Sequence, residues 1–325
     1  MIAFWHKELS VAWEKLARSD LGRREYRTVR LSSALTLDIH AAIRAADGAP
    51  CLILEMSVPV QAFFEVGGMR MMPLASDGRD SVLLVLEDFN QRALFITLCA
   101  DIIAASDGDS SETALARLLE RLEAWRAFLR ERRSGLSRSE ITGLFGELII
   151  LRRLISIEPR LAETWQAPVD GLHDFVNAGH ALEIKSSLGT ATRIGVSGLD
   201  QLDTSGLARL DIVQIRMAET REGESIGEII TDIEAGLPDQ ASRHAFLSAL
   251  IRRGLEPGDE ARNRPRVHVV SARAFTVGEG FPRLTRQDVS VAIREVTYWI
   301  ESSALEPYEQ DLSSTLKLFS EAAIP

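Results

Sequence analysis

The chain has 325 residues, 46% hydrophobic and 26% charged, with a formal net charge of −10. That length has room for two domains with real cores, and the absence of any run of about eighteen apolar residues argues against a transmembrane helix. The acidic balance does not advertise a nucleic-acid binder: non-specific affinity for DNA is built from Lys and Arg contacts to phosphate, so a binder of this charge needs a local basic surface.

The N-terminal segment, with Trp5, His6, Lys7, Glu8 and Trp13 to Lys15, reads as an amphipathic helix without the apolar region of a signal peptide. A cytoplasmic location is expected. From Thr28 to Ala100 the pattern is strand-rich: Val29 to Ile39, Cys51 to Val58, Ala62 to Met72, Ser81 to Leu86 and Ala93 to Cys99 are apolar or alternating runs separated by Gly, Asp and Asn. Cys51 and Cys99, the only cysteines, are too few and too separated for a zinc knuckle or a disulfide framework, and their apolar surroundings predict buried thiols. Glu87 and Asp88 read as strand-end acids, and Trp5 and Trp13 as core or docking aromatics. Asp107 to Ser111 begins like a calcium loop, but the later ligand positions fail, which leaves a turn and a helix cap. Glu112 to Arg132 then reads as a helix with Leu115, Leu118, Leu119, Leu122, Trp125 and Leu129 on one stripe. The expected division is a strand-rich domain over residues 1–134 and a second domain over 135–325.

The second domain opens with a predicted helix from Ser137 to Leu154. Ser137 and Glu140 have capping-box spacing, so the helix should begin just after Ser137. Glu147 is the only ionisable residue between Ile141 and Leu151, on or beside an apolar stripe. A carboxylate there needs a partner. It is either salt-bridged to a core Arg or Lys, or it is an acid aimed at a metal.

Next comes Asp174-Phe175-Val176-Asn177-Ala178-Gly179-His180-Ala181-Leu182-Glu183-Ile184-Lys185. With Ala178 and Gly179 as turn residues, Asn177 pairs with His180, Val176 with Ala181 and Phe175 with Leu182, and Asp174 faces Glu183. Glu183 and Lys185 share a face because side chains alternate. A one-residue slip would undo this convergence. Two carboxylates facing each other across a strand pair repel unless a cation lies between them. Mg²⁺ is held by one or two carboxylates plus waters and substrate phosphates, which this hairpin could supply. The metal would polarise a scissile phosphate, and Lys185 would orient the attacking water or stabilise developing charge. The plainer alternative is an exposed hairpin whose Glu and Lys are merely solvated.

A helix with Gly146-Glu147-Leu148, a strand with Asp174, then Glu183-Ile184-Lys185 followed by Ser186-Ser187 resembles the PD-(D/E)XK nuclease superfamily. More narrowly it is similar to bacterial PD-(D/E)XK motif proteins found near restriction and phage-defence genes. The resemblance implies a restriction-endonuclease-like α/β fold, a mixed central sheet flanked by helices, and metal-dependent cleavage of DNA. By motif position it assigns Glu147, Asp174 and Glu183 to the metal, Lys185 to catalysis, and Gln201 to the Gln that many restriction-type members place after the motif. His173 rather than Pro precedes Asp174, whereas Pro168 lies two residues before Asp170, so Asp170 is a rival. Gly171 beside it suggests a turn, which favours Asp174.

Farther on, Arg193 to Val196 and Ile212 to Met217 read as strands of the same sheet, Ile226 to Ala235 and Ala241 to Arg253 as helices, and Val267 to Val277 and Val291 to Ile300 as strands. From Leu305 a short helical or loose tail is expected. Arg130, Arg132 and Arg133, Arg152 and Arg153, and Arg262, Arg264 and Arg266 are candidate phosphate contacts, each equally readable as a solvated face. Gly195-Val196-Ser197-Gly198 lacks the second spaced Gly of a nucleophile elbow, and there is no Walker loop. His173 and His180 flank the hairpin, where a polar or stacking role is the commoner fate of a strand histidine. The expectation is a Mg²⁺-dependent deoxyribonuclease, with Mn²⁺ as possible substitute, acting as a homodimer in restriction or phage defence. The alternative is a non-catalytic DNA-binding or interaction subunit that keeps the fold.

Overall fold

The computed structural model describes residues 2–19, 25–56, 64–76, 79–106, 110–131, 136–166, 171–190, 192–257 and 259–322. The chain forms two units, one of Met1–Ser134 with Leu247–Gly258 and the other of Gly135–Phe246 with Asp259–Pro325. The segment 247–258, expected with the second domain, therefore counts with the first. Among the described residues no helix is long and apolar enough to cross a membrane.

In the first unit, helix α1 (Ile2–Arg18) precedes strands β1 (Tyr26–Arg30), β2 (Ile39–Arg44), β3 (Pro50–Met56), β4 (Phe64–Val66), β5 (Met69–Ser76) and β6 (Arg79–Leu86), then helices α2 (Arg92–Ala105) and α3 (Ser111–Glu131). The strands form one antiparallel sheet in the order β1-β2-β3-β6-β5-β4. Its middle strands are apolar on both faces. Ile39, Leu52 and Leu84 enter the core with Trp13, Phe95 and Trp125 from the helices, while Ala42, Cys51 and Val85 pack on the other side. Burial pushes the Cys51 thiol up to about 12, so it stays protonated. Glu87 is held by Arg44 at 2.8 Å, as a strand-end acid.

Three strand expectations here are corrected, the first being the run Ala62 to Met72, whose described part turns at Gly67 and Gly68 into the antiparallel pair of β4 and β5. Ala93 to Cys99 is not a strand but part of α2, because Leu94, Phe95, Ile96, Leu98, Ile102 and Ile103 bury the helix nearly all round and erase the periodicity that would separate it from a buried strand. Val29 to Ile39 is not continuous, since β1 ends at Arg30 and β2 begins at Ile39. The turn expected over Asp107 to Ser111 and the strand ends at Val58 and Ala62 reach outside the described residues.

The second unit contains helix α4 (Arg138–Ile157), strands β7 (Phe175–Asn177), β8 (His180–Leu188), β9 (Arg193–Val196) and β10 (Arg209–Ser225), helices α5 (Ile226–Gly236) and α6 (Gln240–Arg252), strands β11 (Arg266–Thr276), β12 (Tyr298–Glu301) and β13 (Glu309–Gln310), and helix α7 (Leu312–Ser320). α6 begins in this unit and ends in the other. The main sheet runs β13-β11-β10-β8-β7, with β8 and β10 parallel and its other pairs antiparallel. This mixed sheet with its helices is the α/β architecture that the resemblance implies.

β9 does not join that sheet as expected. It pairs with β12 in a separate ribbon whose Ile194, Val196 and Ile300 pack with Ile212 of β10. Apolar alternation marks a strand but not its partner. The strand read over Val291 to Ile300 shrinks to β12, and Val291 is 95% exposed. The tail from Leu305 is docked rather than loose: α7, capped by Asp311, buries Leu312, Leu316 and Phe319. Asn177 Nδ2 donates to the Phe319 carbonyl at 2.7 Å, and the Phe319 ring meets His180 edge-on.

Candidate active site

α4 starts where its cap predicts. Ser137 Oγ accepts from the Glu140 N–H at 3.2 Å while the Glu140 carboxylate accepts from the Ser137 N–H at 2.7 Å. Nine residues on, Gly146 lets the helix lie against β8, since a Cβ there would sit 1.7 Å from Ser186 Oγ and 3.1 Å from Ile184 Cγ2. This contact sets the buried Glu147 beside the strand pair. Its carboxylate accepts a hydrogen bond from the Trp165 indole at 3.0 Å.

The hairpin has the register read from its sequence: Asn177 with His180, Val176 with Ala181 and Phe175 with Leu182. Ala178 and Gly179 both have positive φ, 46° and 83°, the signature of a two-residue turn whose twist matches the strands. One step further along this register, Asp174 stands opposite Glu183. Asp174 Oδ2 accepts from the Ile184 N–H at 2.7 Å.

Glu183 is buried, and its Oε1 accepts from two side chains, Lys185 Nζ at 3.0 Å and Gln201 Nε2 at 2.7 Å. Gln201 comes from the crossover between β9 and β10 and is held in turn, because its Oε1 accepts from the Ser197 N–H at 3.1 Å. The structure thus joins Glu183, Lys185 and Gln201 directly and sets Asp174 across from them. Glu147 acts on Asp174 and Glu183 through its charge. Asp170 and Pro168 lie outside the described residues.

The electrostatics are those of crowded acids. Burial first, then the charges of Glu183 and Glu147, push the Asp174 pKa well above the carboxylate range, against the opposing pull of the Ile184 N–H and Lys185. Burial likewise raises Glu183, with Lys185 opposing and Glu147 reinforcing. One lysine does not balance three carboxylates. None of the bonds above uses Asp174 Oδ1 or Glu183 Oε2, so two oxygens of hard-cation chemistry face a deficit of positive charge. Among the described residues no three His, Cys, Asp or Glu side chains form a group that could hold a metal as they stand. What the site offers is a pair of carboxylates, the donor type with which a hard divalent cation can be held beside waters and substrate phosphates.

The flanking histidines have other duties. His173 Nε2 lies 3.1 Å from the Gln201 carbonyl, and burial lowers its pKa. His180 pairs with the buried Asp211 at 2.7 Å. Sequence reasoning missed Trp165 and Ser197, for which no spacing gives a signal, because the first reaches Glu147 from a connecting turn and the second acts through its backbone. Of the expected basic contacts, Arg152 is engaged by Glu224 at 2.9 Å and Asp232 at 2.6 Å, and Arg266 by Glu228 at 2.9 Å. Arg132 and Arg133 lie outside the described residues.

No curated protein and no solved structure matches the chain. One family model does, over residues 9–303, described as "Putative PD-(D/E)XK family member, (DUF4420)". A match of that extent takes in both units and the whole hairpin, and the chain belongs to this PD-(D/E)XK family.

Proposed function

We propose that the second unit is a metal-dependent phosphodiesterase that cleaves DNA, with Mg²⁺ as the metal and Mn²⁺ as a substitute. The observation that carries this reading is Glu183 Oε1, shared by Lys185 and Gln201 on the strand facing Asp174. Asp174 and Glu183 would hold the cation, with Glu147 as the third acid behind them. When bound, the cation supplies a Lewis acid for the phosphate and the positive charge that the acids lack. Lys185, tethered to Glu183, holds and orients the attacking water and stabilises negative charge growing on the phosphate. Gln201 fixes which Glu183 oxygen is engaged, leaving the other for the cation. Family membership supports the nuclease class. A role in restriction or phage defence, and action as a homodimer, extend the resemblance.

A second reading is a non-catalytic DNA-binding or interaction subunit of a defence complex, and the net charge of −10 favours its interaction form because it disfavours contacts to phosphate. Incubation of the purified protein with plasmid and linear DNA decides between them. Cleavage with Mg²⁺ or Mn²⁺ that is lost with chelator, in Asp174→Ala and in Lys185→Ala supports the enzyme. No cleavage in any metal, together with no metal-induced rise in melting temperature, supports the subunit.

A further inference from the structure

Beyond the acids, the same face of β8 continues. Glu183, Lys185 and Ser187 alternate onto one side of the strand, and the parallel register sets Lys185 beside Gln214 and Ser187 beside Arg216. In the Lys185 row the neighbours are occupied: Gln214 donates to Ser302 at 2.8 Å, and Arg273 bonds Glu309 at 2.8 Å. The next row is different. Arg216 Nε and Ser187 Oγ are both buried, and neither has a hydrogen-bond partner among the described residues.

Arg138, Arg152, Arg209, Arg266, Arg273 and Arg286 of this unit each meet a carboxylate. Arg216 Nε has no such partner among the described residues, and a buried donor without an acceptor is costly to keep. Ser187 lies two residues past Lys185, about 7 Å along the strand. That is comparable to the step between consecutive phosphates on one nucleic-acid strand. Both residues are half-buried rather than fully enclosed, and a phosphate that meets the planar fork of the guanidinium at the surface would supply the acceptor that the enclosed Nε and hydroxyl lack.

We propose that Arg216, with Ser187, binds the phosphate neighbouring the scissile one and so sets the path of the DNA strand across β8 and β10. This rests on the nuclease reading above. Arg216 is a positioning residue in this assignment.

The test is binding of a short fluorescent DNA duplex in chelator, over a range of salt concentrations, by wild type, Arg216→Gln, Arg216→Lys and Ser187→Ala. Arg216→Gln is expected to weaken binding about tenfold and to reduce the slope of log K on log[salt] by about 0.9, one phosphate contact. Arg216→Lys should recover the slope but not the full affinity, and Ser187→Ala should lose affinity with the slope intact. An unchanged slope in Arg216→Gln overturns the assignment, as does an affinity loss that both Arg216 variants share with a lowered melting temperature. Absence of DNA binding by wild type overturns it as well. Because binding is read without metal, cleavage by wild type, Asp174→Asn and Lys185→Ala reports separately on the nuclease reading. A changed slope with no cleavage would leave the phosphate site standing and remove the nuclease.

Discussion

Glu183 and Asp174 oppose the fold they belong to. A carboxyl whose pKa is higher in the native state than in the unfolded chain binds its proton more tightly when folded. Its ionisation therefore costs stability, and the cost accumulates as pH rises from the unfolded value near 4 through the native one. Asp174→Asn keeps an acceptor for the Ile184 N–H and removes the charge. It should melt higher than wild type at pH 7 without divalent cations, and no longer gain stability from added Mg²⁺. Equal melting temperatures in scanning calorimetry would contradict this electrostatic account. Asp211 has the opposite sign: although its own burial opposes the shift, bonds from His180, Arg209 and Thr276 lower its pKa. Its contribution is present above about pH 4, the unfolded value, and is lost as pH falls through the lower native one. Asp211→Asn should thus lose stability at pH 7 and show a shallower decline on acidification.

At the scale of elements, two glycines of α4 separate packing from propensity. A Cβ at Gly143 meets nothing within 4 Å, so Gly143→Ala should gain about 1 kcal/mol of helix stability. At Gly146 the same change drives into Ser186 and Ile184, with a cost of about 1–3 kcal/mol and displacement of Glu147. Urea unfolding of both variants checks the contrast. In the hairpin, Ala178 holds a φ of 46° that a side chain with Cβ disfavours, and Ala178→Asn should stabilise by about 1 kcal/mol. The hairpin and the start of α4 were legible because their signals are local: a two-residue turn, an alternation of two and a capping box. The pairing of β9 with β12 was not, because those strands are about a hundred residues apart and neither encodes its partner. For α2 the obstacle was uniform burial, which leaves no periodicity to read.

Across the whole molecule, α7 braces the strands of the hairpin. Phe319 is fully buried beside His180, and its carbonyl holds Asn177 on β7. Phe319→Ala should cost about 3–5 kcal/mol and lower cleavage by loosening the hairpin, a loss measurable as a fall in melting temperature with a parallel fall in kcat. The chain from Leu305 gave no sign of this role in sequence, since nine helical residues with four apolar positions do not say what they cover. The overall acidity reports an average, whereas Lys185 and Arg216 stand one row apart on two adjacent strands of one sheet.

The two-residue turn at Ala178 and Gly179 also bears on the order in which the protein assembles. Asp174, Glu183 and Lys185 fall within twelve consecutive residues, and hairpins close in about 1–10 μs, well before the non-local pairing of β8 with β10 rewards its loop closure. The short loop thus brings the two carboxylates together at a low entropic cost that does not depend on the crossover. Gln201 comes from the crossover instead, so its hold on Glu183 depends on non-local pairing in a way that the register of the acids and the lysine does not.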